Sequence, residues 1–170
     1  TNIPVSLTID EANIGYNAYS ILKTGKDEWG NFMPLAFRSV GDYKPPVNIY
    51  LTTISIAVFG LNEFAVRLPV AFLGALTTLS FAFLLRKLKF GKNEIFLGSL
   101  WLAISPWHII YSRASFEAVT ALFFLLTGIA LFLHWIESKK LKNLVLSIVC
   151  ASLSVWSYHS TRLFTPLVFI

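Results

Sequence analysis

Residues 68–92 read LPVAFLGALTTLSFAFLLRKLKFGK. The uncharged run 68–85 approaches the roughly 20 residues a helix needs to cross hydrocarbon. Arg86, Lys87, Lys89 and Lys92 follow it at once, and such a cluster marks a cytoplasmic flank. Working outward, three more runs share this character: IFLGSLWLAISPWHIIYS (95–112), AVTALFFLLTGIALFLHWI (118–136) and NLVLSIVCASLSVWSYHST (143–161). Another begins at residue 163 with LFTPLVFI. With 55% of its 170 residues hydrophobic and only 14% charged, the chain is too apolar for a soluble domain and expects lipid as its solvent. The expected fold is all-α, a polytopic transmembrane helical bundle.

Composition also excludes function classes. The net charge of +5 comes from helix ends rather than one polar face, so nucleic acid is not an expected partner. One cysteine, Cys150, lies inside a span and argues against a disulfide framework or a thiolate metal site. The chain starts with Thr and stops within an apolar run, which reads as a fragment of a larger protein.

The second basic connection, ESKKLK at 137–142, fixes the topology together with the first. If both are cytoplasmic, the connections around YSRAS and HSTR are extracytoplasmic, as is everything before Leu68. Two parts follow: 1–64, an extracytoplasmic loop with juxtamembrane helices, and 65–170, about four spans plus the start of a fifth. The segment PPVNIYLTTISIAVFGLN (45–62) is nearly long enough to cross. Making it a span would put the 86–92 cations on the wrong side, so it is read as a juxtamembrane helix with Asn48, Thr52 and Ser55 on one weakly polar face. Upstream, EANIGYNAYSILKTG reads as a short amphipathic helix ending at Gly25, with Ile14, Ala18, Ile21 and Leu22 on one side. The stretch KDEWGNFMPLAFRSVGDYKPP is read as loop.

Sorting polar residues by side of the membrane places Asp10, Glu11, Asp27, Glu28, Lys44 and Arg67 on the outside. His108, Arg113, Glu117, His159 and Arg162 join them at helix ends. Acids from the first loop thus meet bases from several helices, an arrangement in which a carboxylate can act on one substrate while cations hold an anionic one. Each residue also has a structural reading. Asp10 can be a helix N-cap with Glu11 favouring the dipole; Asp27 and Glu28 beside Gly30 suit turn chemistry; Glu63 and Arg67, four apart, can pair. In DYKPP, Lys44 is held on a stiff extended segment, which suits a fixed point charge for phosphate.

In order along the chain, DEA with GYNAYSILKTGKDEWG, then DYKPP, FGLNEFAVRLP and SPWHIIYSRASFEAVTALFF resemble the GT-C membrane glycosyltransferases. The specific likeness is to glycosyltransferase family 39, the protein O-mannosyltransferase and aminoarabinose-transferase group. The resemblance implies that Asp10 is the catalytic base with Glu11 as its neighbour, and that Lys44 and Arg67 meet the donor phosphate. It matches Ser112-Arg113 and Glu117 to a family pattern whose acid is commonly Asp. Lys44, where eukaryotic-type members carry His, points to the prokaryotic branch. Family members also have a helix before the Asp-Glu motif and many more spans, so this chain is expected to hold the catalytic acid without a complete site.

The expected reaction moves a sugar from a polyprenyl- or dolichyl-phosphate donor to a hydroxyl acceptor on a protein, lipid or glycan. It takes place at the outer face of the plasma (inner) membrane, with inversion at the anomeric carbon. A hydroxyl needs a positioned base, here Asp10. The cations Lys44, Arg67 and Arg113 stand in for an obligatory divalent metal, and no cofactor is expected; Glu117, His108 and Arg162 are further candidate substrate-binding residues. Membrane lipids are the remaining partner. A transporter or flippase is the competing class, with Pro106 interrupting one span, and an oligosaccharyltransferase is the nearer alternative.

Overall fold

The computed structural model describes residues 6–39 and 41–168. Among these, eight helices carry the fold: α1 (Ile9–Thr24), α2 (Pro46–Phe59), α3 (Glu63–Lys87), α4 (Lys92–Ile104), α5 (Pro106–Arg113), α6 (Glu117–Ser138), α7 (Leu141–Val155) and α8 (Thr161–Val168). The all-α bundle expected from hydropathy is the observed architecture. In the segment read as loop, two short strands, β1 (Phe37–Arg38) and β2 (Tyr43–Lys44), pair antiparallel with Phe37 opposite Lys44.

Two of the described helices, α3 and α6, are long and apolar enough to cross a membrane. The expected span at 95–112 is broken: α4 and α5, bent by 53°, are long and apolar enough to cross only when taken together. The break falls at Ser105-Pro106 because proline has no N–H for the helix ladder and disfavours a helical residue before it. The expected span at 143–161 stops at Val155, leaving a 15-residue helix. The start of the fifth expected span is α8, and residues 169 and 170 lie outside the described residues.

The spanning helices are built with small and polar residues inside and large apolar ones outside. On α3 the buried positions include Gly74, Thr77 and Ser80, while Phe72 and Leu79 are exposed. The Ser80 and Thr127 hydroxyls share a hydrogen bond of 2.9 Å between α3 and α6. On α7 the buried residues are Ser147 and Ser154, which donate to the carbonyls of Gly128 at 2.8 Å and Ala121 at 3.0 Å on α6. A Cβ on Gly128 would stand 3.3 Å from the Ala151 nitrogen, so glycine lets α6 and α7 approach closely. In lipid, water does not drive helices together, and close backbone packing with interhelical hydrogen bonds takes over.

At one end of the bundle, α1, the hairpin, α2 and the start of α3 share a small apolar core of Ile14, Ala18, Ile21, Phe37, Ile49, Ile56, Ala65 and Val66. Leu22, expected on this face, is exposed at 39%. Helix α1 ends where expected, with Gly25 at φ 70° closing it in the left-handed conformation that glycine tolerates. Its start differs: the N-cap is Thr8, not Asp10. Thr8 Oγ1 accepts from Glu11 N at 3.3 Å and Glu11 Oε2 accepts from Thr8 N at 2.9 Å, a reciprocal capping box. That leaves Asp10 in the first turn, 53% exposed.

The polar face expected on α2 is turned into the protein. Asn48, Thr52 and Ser55 are buried, while Ile54, Val58 and Phe59 are exposed. The opposite end of the bundle holds the Lys-rich connections, joined where Lys87 Nζ meets Glu137 at 2.6 Å and donates to His134 Nδ1 at 2.8 Å.

Candidate active site

The end of the bundle formed by α1, the hairpin and α2, the cap, gathers five of the residues that the sequence places outside: Asp10, Glu11, Lys44, Arg67 and Glu117. Lys44, on β2, points its ammonium at Asp10 Oδ1 at 2.9 Å and lies 3.9 Å from Asp42. Its side chain is only 12% exposed. Two prolines follow it and open α2, so the backbone carrying Lys44 has little freedom. Burial alone would lower the Lys44 pKa. The hydrogen bond to Asp10 and the fields of Glu117, Asp10 and Asp42 outweigh it, and Lys44 is held above the ordinary lysine range.

Glu117 opens α6 and is buried. An acid in that first turn is favoured by the helix dipole. It lies close enough to Lys44, Asp10 and Asp42 to feel their charges, and its Oε1 has no hydrogen-bond partner. Two carboxylates thus contact Lys44 directly, and the buried Glu117 acts on it through its field.

Beside this cluster stands a second ion pair. Arg67 reaches both oxygens of Glu11, Nε to Oε1 at 2.7 Å and Nη2 to Oε2 at 3.2 Å. It also donates to the Ser6 carbonyl at 3.0 Å. The local pair expected with Glu63 exists at a longer 3.6 Å. Glu11 is 1% exposed. Burial would raise its pKa, but the Arg67 hydrogen bond and charge together with both Thr8 contacts hold it below the usual carboxylate range. The pair bolts α1 onto α3 and so fixes the turn that carries Asp10.

The other candidates stand elsewhere in the fold. His108 is buried, donates from Nε2 to the Gly74 carbonyl at 3.0 Å, and leaves Nδ1 without a partner. It lines a cavity of about 340 Å³ between α3 and the bent pair, with Ser112 and Arg113. Arg162 is exposed in the first turn of α8. Asp27 is a turn residue: its Oδ1 accepts from the backbone of Trp29 at 3.0 Å and Asn31 at 2.7 Å. Glu28 accepts from Asn13 at 3.0 Å and Asn17 at 3.2 Å, tying the loop to α1.

Two residues that the sequence places, His159 at an outer helix end and Asn48 on a polar face, make long-range contacts that no local pattern indicates. His159 donates to the Tyr43 carbonyl at 2.7 Å, clamping the residue next to Lys44 from a part of the chain 116 positions away. Asn48, readable only as part of a polar stripe, is completely buried among polar partners. Neither pairing has a local spacing signal.

A family model described as dolichyl-phosphate-mannose-protein mannosyltransferase matches residues 43–170. Lys44, Arg67, His108, Arg113, Glu117 and Arg162 fall within that match, and Asp10 and Glu11 precede it. An uncharacterised protein of Aquifex aeolicus (strain VF5) is 27% identical over 152 residues, covering 84% of this chain and 30% of that protein. The Bacillus subtilis (strain 168) protein YkcB, a proposed mannosyltransferase, is 32% identical over 114 residues, covering 65% of this chain and 16% of that protein. The chain thus spans less than a third of the length of these relatives. No solved structure matches it significantly.

Proposed function

The chain belongs to the dolichyl-phosphate-mannose-protein mannosyltransferase family, and from that premise we propose that it forms part of a glycosyltransferase using a polyprenyl-phosphate sugar at the extracytoplasmic face. The carrying observation is the Asp10–Lys44 pair at 2.9 Å beside the buried Glu117. It sets a base and a cation side by side, with Asp10 half exposed toward an incoming acceptor.

The donor's phosphodiester carries one negative charge and gains a second as the bond from the anomeric carbon to the phosphate oxygen breaks. Lys44 is the fixed cation for that developing charge. A phosphate arriving at Lys44 competes with Asp10 for the ammonium and releases the carboxylate to accept the acceptor's hydroxyl proton. The acceptor oxygen then bonds to the anomeric carbon as the lipid phosphate leaves, a single displacement that inverts the centre. Because Lys44 supplies the positive charge, a divalent metal is not obligatory in this scheme. Glu11 and Arg67, spent on each other, serve as the strut that holds Asp10 in place.

The test uses the full-length parent in detergent with radiolabelled polyprenyl-phosphate sugars and EDTA. Loss of transfer in Asp10→Asn and in Lys44→Ala, with folding intact, is the expected result. Undiminished turnover in Asp10→Asn removes the base from the scheme. The 53° break between α4 and α5 is the observation that favours a transport reading, since broken helices around a site are a transporter feature. Uptake or flipping of the lipid-linked sugar without its consumption is the result that would select it.

A further inference from the structure

The Asn48 carboxamide is a junction between the three segments that carry the candidate site. It is completely buried on the first turn of α2, four residues after Lys44. Its Nδ2 donates to the Ser115 carbonyl at 3.2 Å, in the turn between α5 and α6, two residues before Glu117. Its Oδ1 accepts from Thr120 Oγ1 at 2.8 Å, on α6 one turn after Glu117. Ser115, at φ 53°, continues the connection by donating from Oγ to the Val66 carbonyl at 3.3 Å, next to Arg67.

Both ends of one amide are used in opposite senses. A carboxylate cannot donate to the Ser115 carbonyl, and an apolar side chain would leave that carbonyl and the Thr120 hydroxyl without partners in a buried site. Pro45 and Pro46 make the link from Asn48 back to Lys44 stiff. The turn carrying Glu117 is held in an uncommon left-handed backbone conformation at Ser115. The spacing between lysine and buried acid is therefore set by this knot rather than by any direct bond between them.

We propose that Asn48, acting with Thr120 and Ser115, is a positioning residue that sets Lys44 against Glu117 and Asp10. This rests on the functional reading above only for its kinetic consequence. The geometric consequence stands by itself: loosening the knot frees the Lys44 ammonium from its pocket.

The experiment uses the full-length parent with Thr120→Val, which keeps the shape but removes the donor to Asn48, and Ser115→Gly, which keeps the backbone conformation but removes the bond to Val66. Thr120→Ser is the rescue variant. Lys44 acylation by a water-soluble N-hydroxysuccinimide ester is followed by mass spectrometry, alongside donor kcat and KM and the unfolding temperature. The expected result is Lys44 acylation several-fold faster in Thr120→Val and Ser115→Gly, with kcat down about ten- to hundred-fold, as small misplacements of a catalytic group produce. KM should change less, and Thr120→Ser should restore both readouts. Unchanged acylation in folded Thr120→Val and Ser115→Gly overturns the inference whether or not the protein turns over a donor. Faster acylation with unchanged kcat in an active enzyme overturns it as well. A wild type with no donor turnover defeats the functional reading, and the acylation rates still decide the positioning.

Discussion

Replacing Glu11 by alanine isolates the strut between α1 and α3. The carboxylate is 1% exposed against an Arg67 side chain 16% exposed. It accepts from Arg67 at 2.7 and 3.2 Å and from Thr8 N at 2.9 Å. Its loss leaves the guanidinium with half-exposed Glu63 at 3.6 Å and the Ser6 carbonyl, and undoes the capping box. Breaking one partner of a buried pair is destabilising by about 3–5 kcal/mol. Because those contacts survive, the lower end applies, and about 3 kcal/mol lowers Tm by about 6–12 °C for a chain of this size. Glu11→Gln keeps an acceptor for the cap and for one Arg67 N–H, so its loss should be about half as large. Tryptophan fluorescence during heating in detergent reads both. The acid dependence has a fixed sign. The native pKa of Glu11 is lowered, so its stabilisation is complete above the unfolded glutamate range and disappears as pH falls through the native value. The Tm gap between wild type and Glu11→Ala should be constant from about pH 5 to pH 8 and close below about pH 4. A Glu11→Ala protein melting within about 2 °C of wild type, or a gap that widens in acid, would refute the strut.

Lys44 carries the opposite sign. Its native pKa is raised, so its contribution is complete below the unfolded lysine value and lost as pH rises through the native one. The Tm difference between wild type and Lys44→Met should therefore persist to about pH 10 and shrink above it; a difference that collapses near neutrality contradicts the Asp10 pairing. Gly74→Ala puts a Cβ 2.7 Å from Ser112 Cβ, an overpacking of about 1–3 kcal/mol, visible as a lower Tm that the compensating Ser112→Gly recovers. If Gly74→Ala melts like wild type, α3 and α5 are not this close. Phe37→Ala empties the centre of the cap core, where Phe37 is 0% exposed, and should cost about 3–5 kcal/mol. Proteolysis should then cut first within 26–45, and an unchanged pattern argues against a Phe37-centred cap.

Local chemistry made much of this architecture readable. Apolar runs and their charged ends gave α3 and α6, Gly25 gave the end of α1, and the acid-base gathering followed from sorting charges by side. The failures were of two kinds. Where neighbouring signals compete, one residue decides: Thr8 captured the cap that Asp10 also fits, and Pro106 turned one apolar run into two helices. Where a contact joins distant segments, periodicity carries no information. Arg67 lies four residues from Glu63 and 56 from Glu11, yet the distant acid makes the shorter pair because packing α1 on α3 buries it there. The same holds for Asn48. A polar stripe at helical spacing says that one face differs, and only the packed bundle says that it faces Thr120 and Ser115 rather than water.

The serines that bind α7 to α6 bear on biogenesis. A 15-residue helix rises roughly 22 Å, less than the roughly 30 Å of a hydrocarbon core. Its inward face offers hydroxyls whose best acceptors are the carbonyls of a neighbour. As it leaves the ribosome, α7 is thus a poor candidate to partition into lipid by itself, whereas α6 is a good one. The translocon would release the two as a hairpin, with α6 as the template and α7 as its passenger. With residues 137–142 cytoplasmic, a glycan-acceptor tag after α7 should be modified in the native order and also when a polar linker replaces α6; loss of modification in the second case would show that α7 crosses by itself.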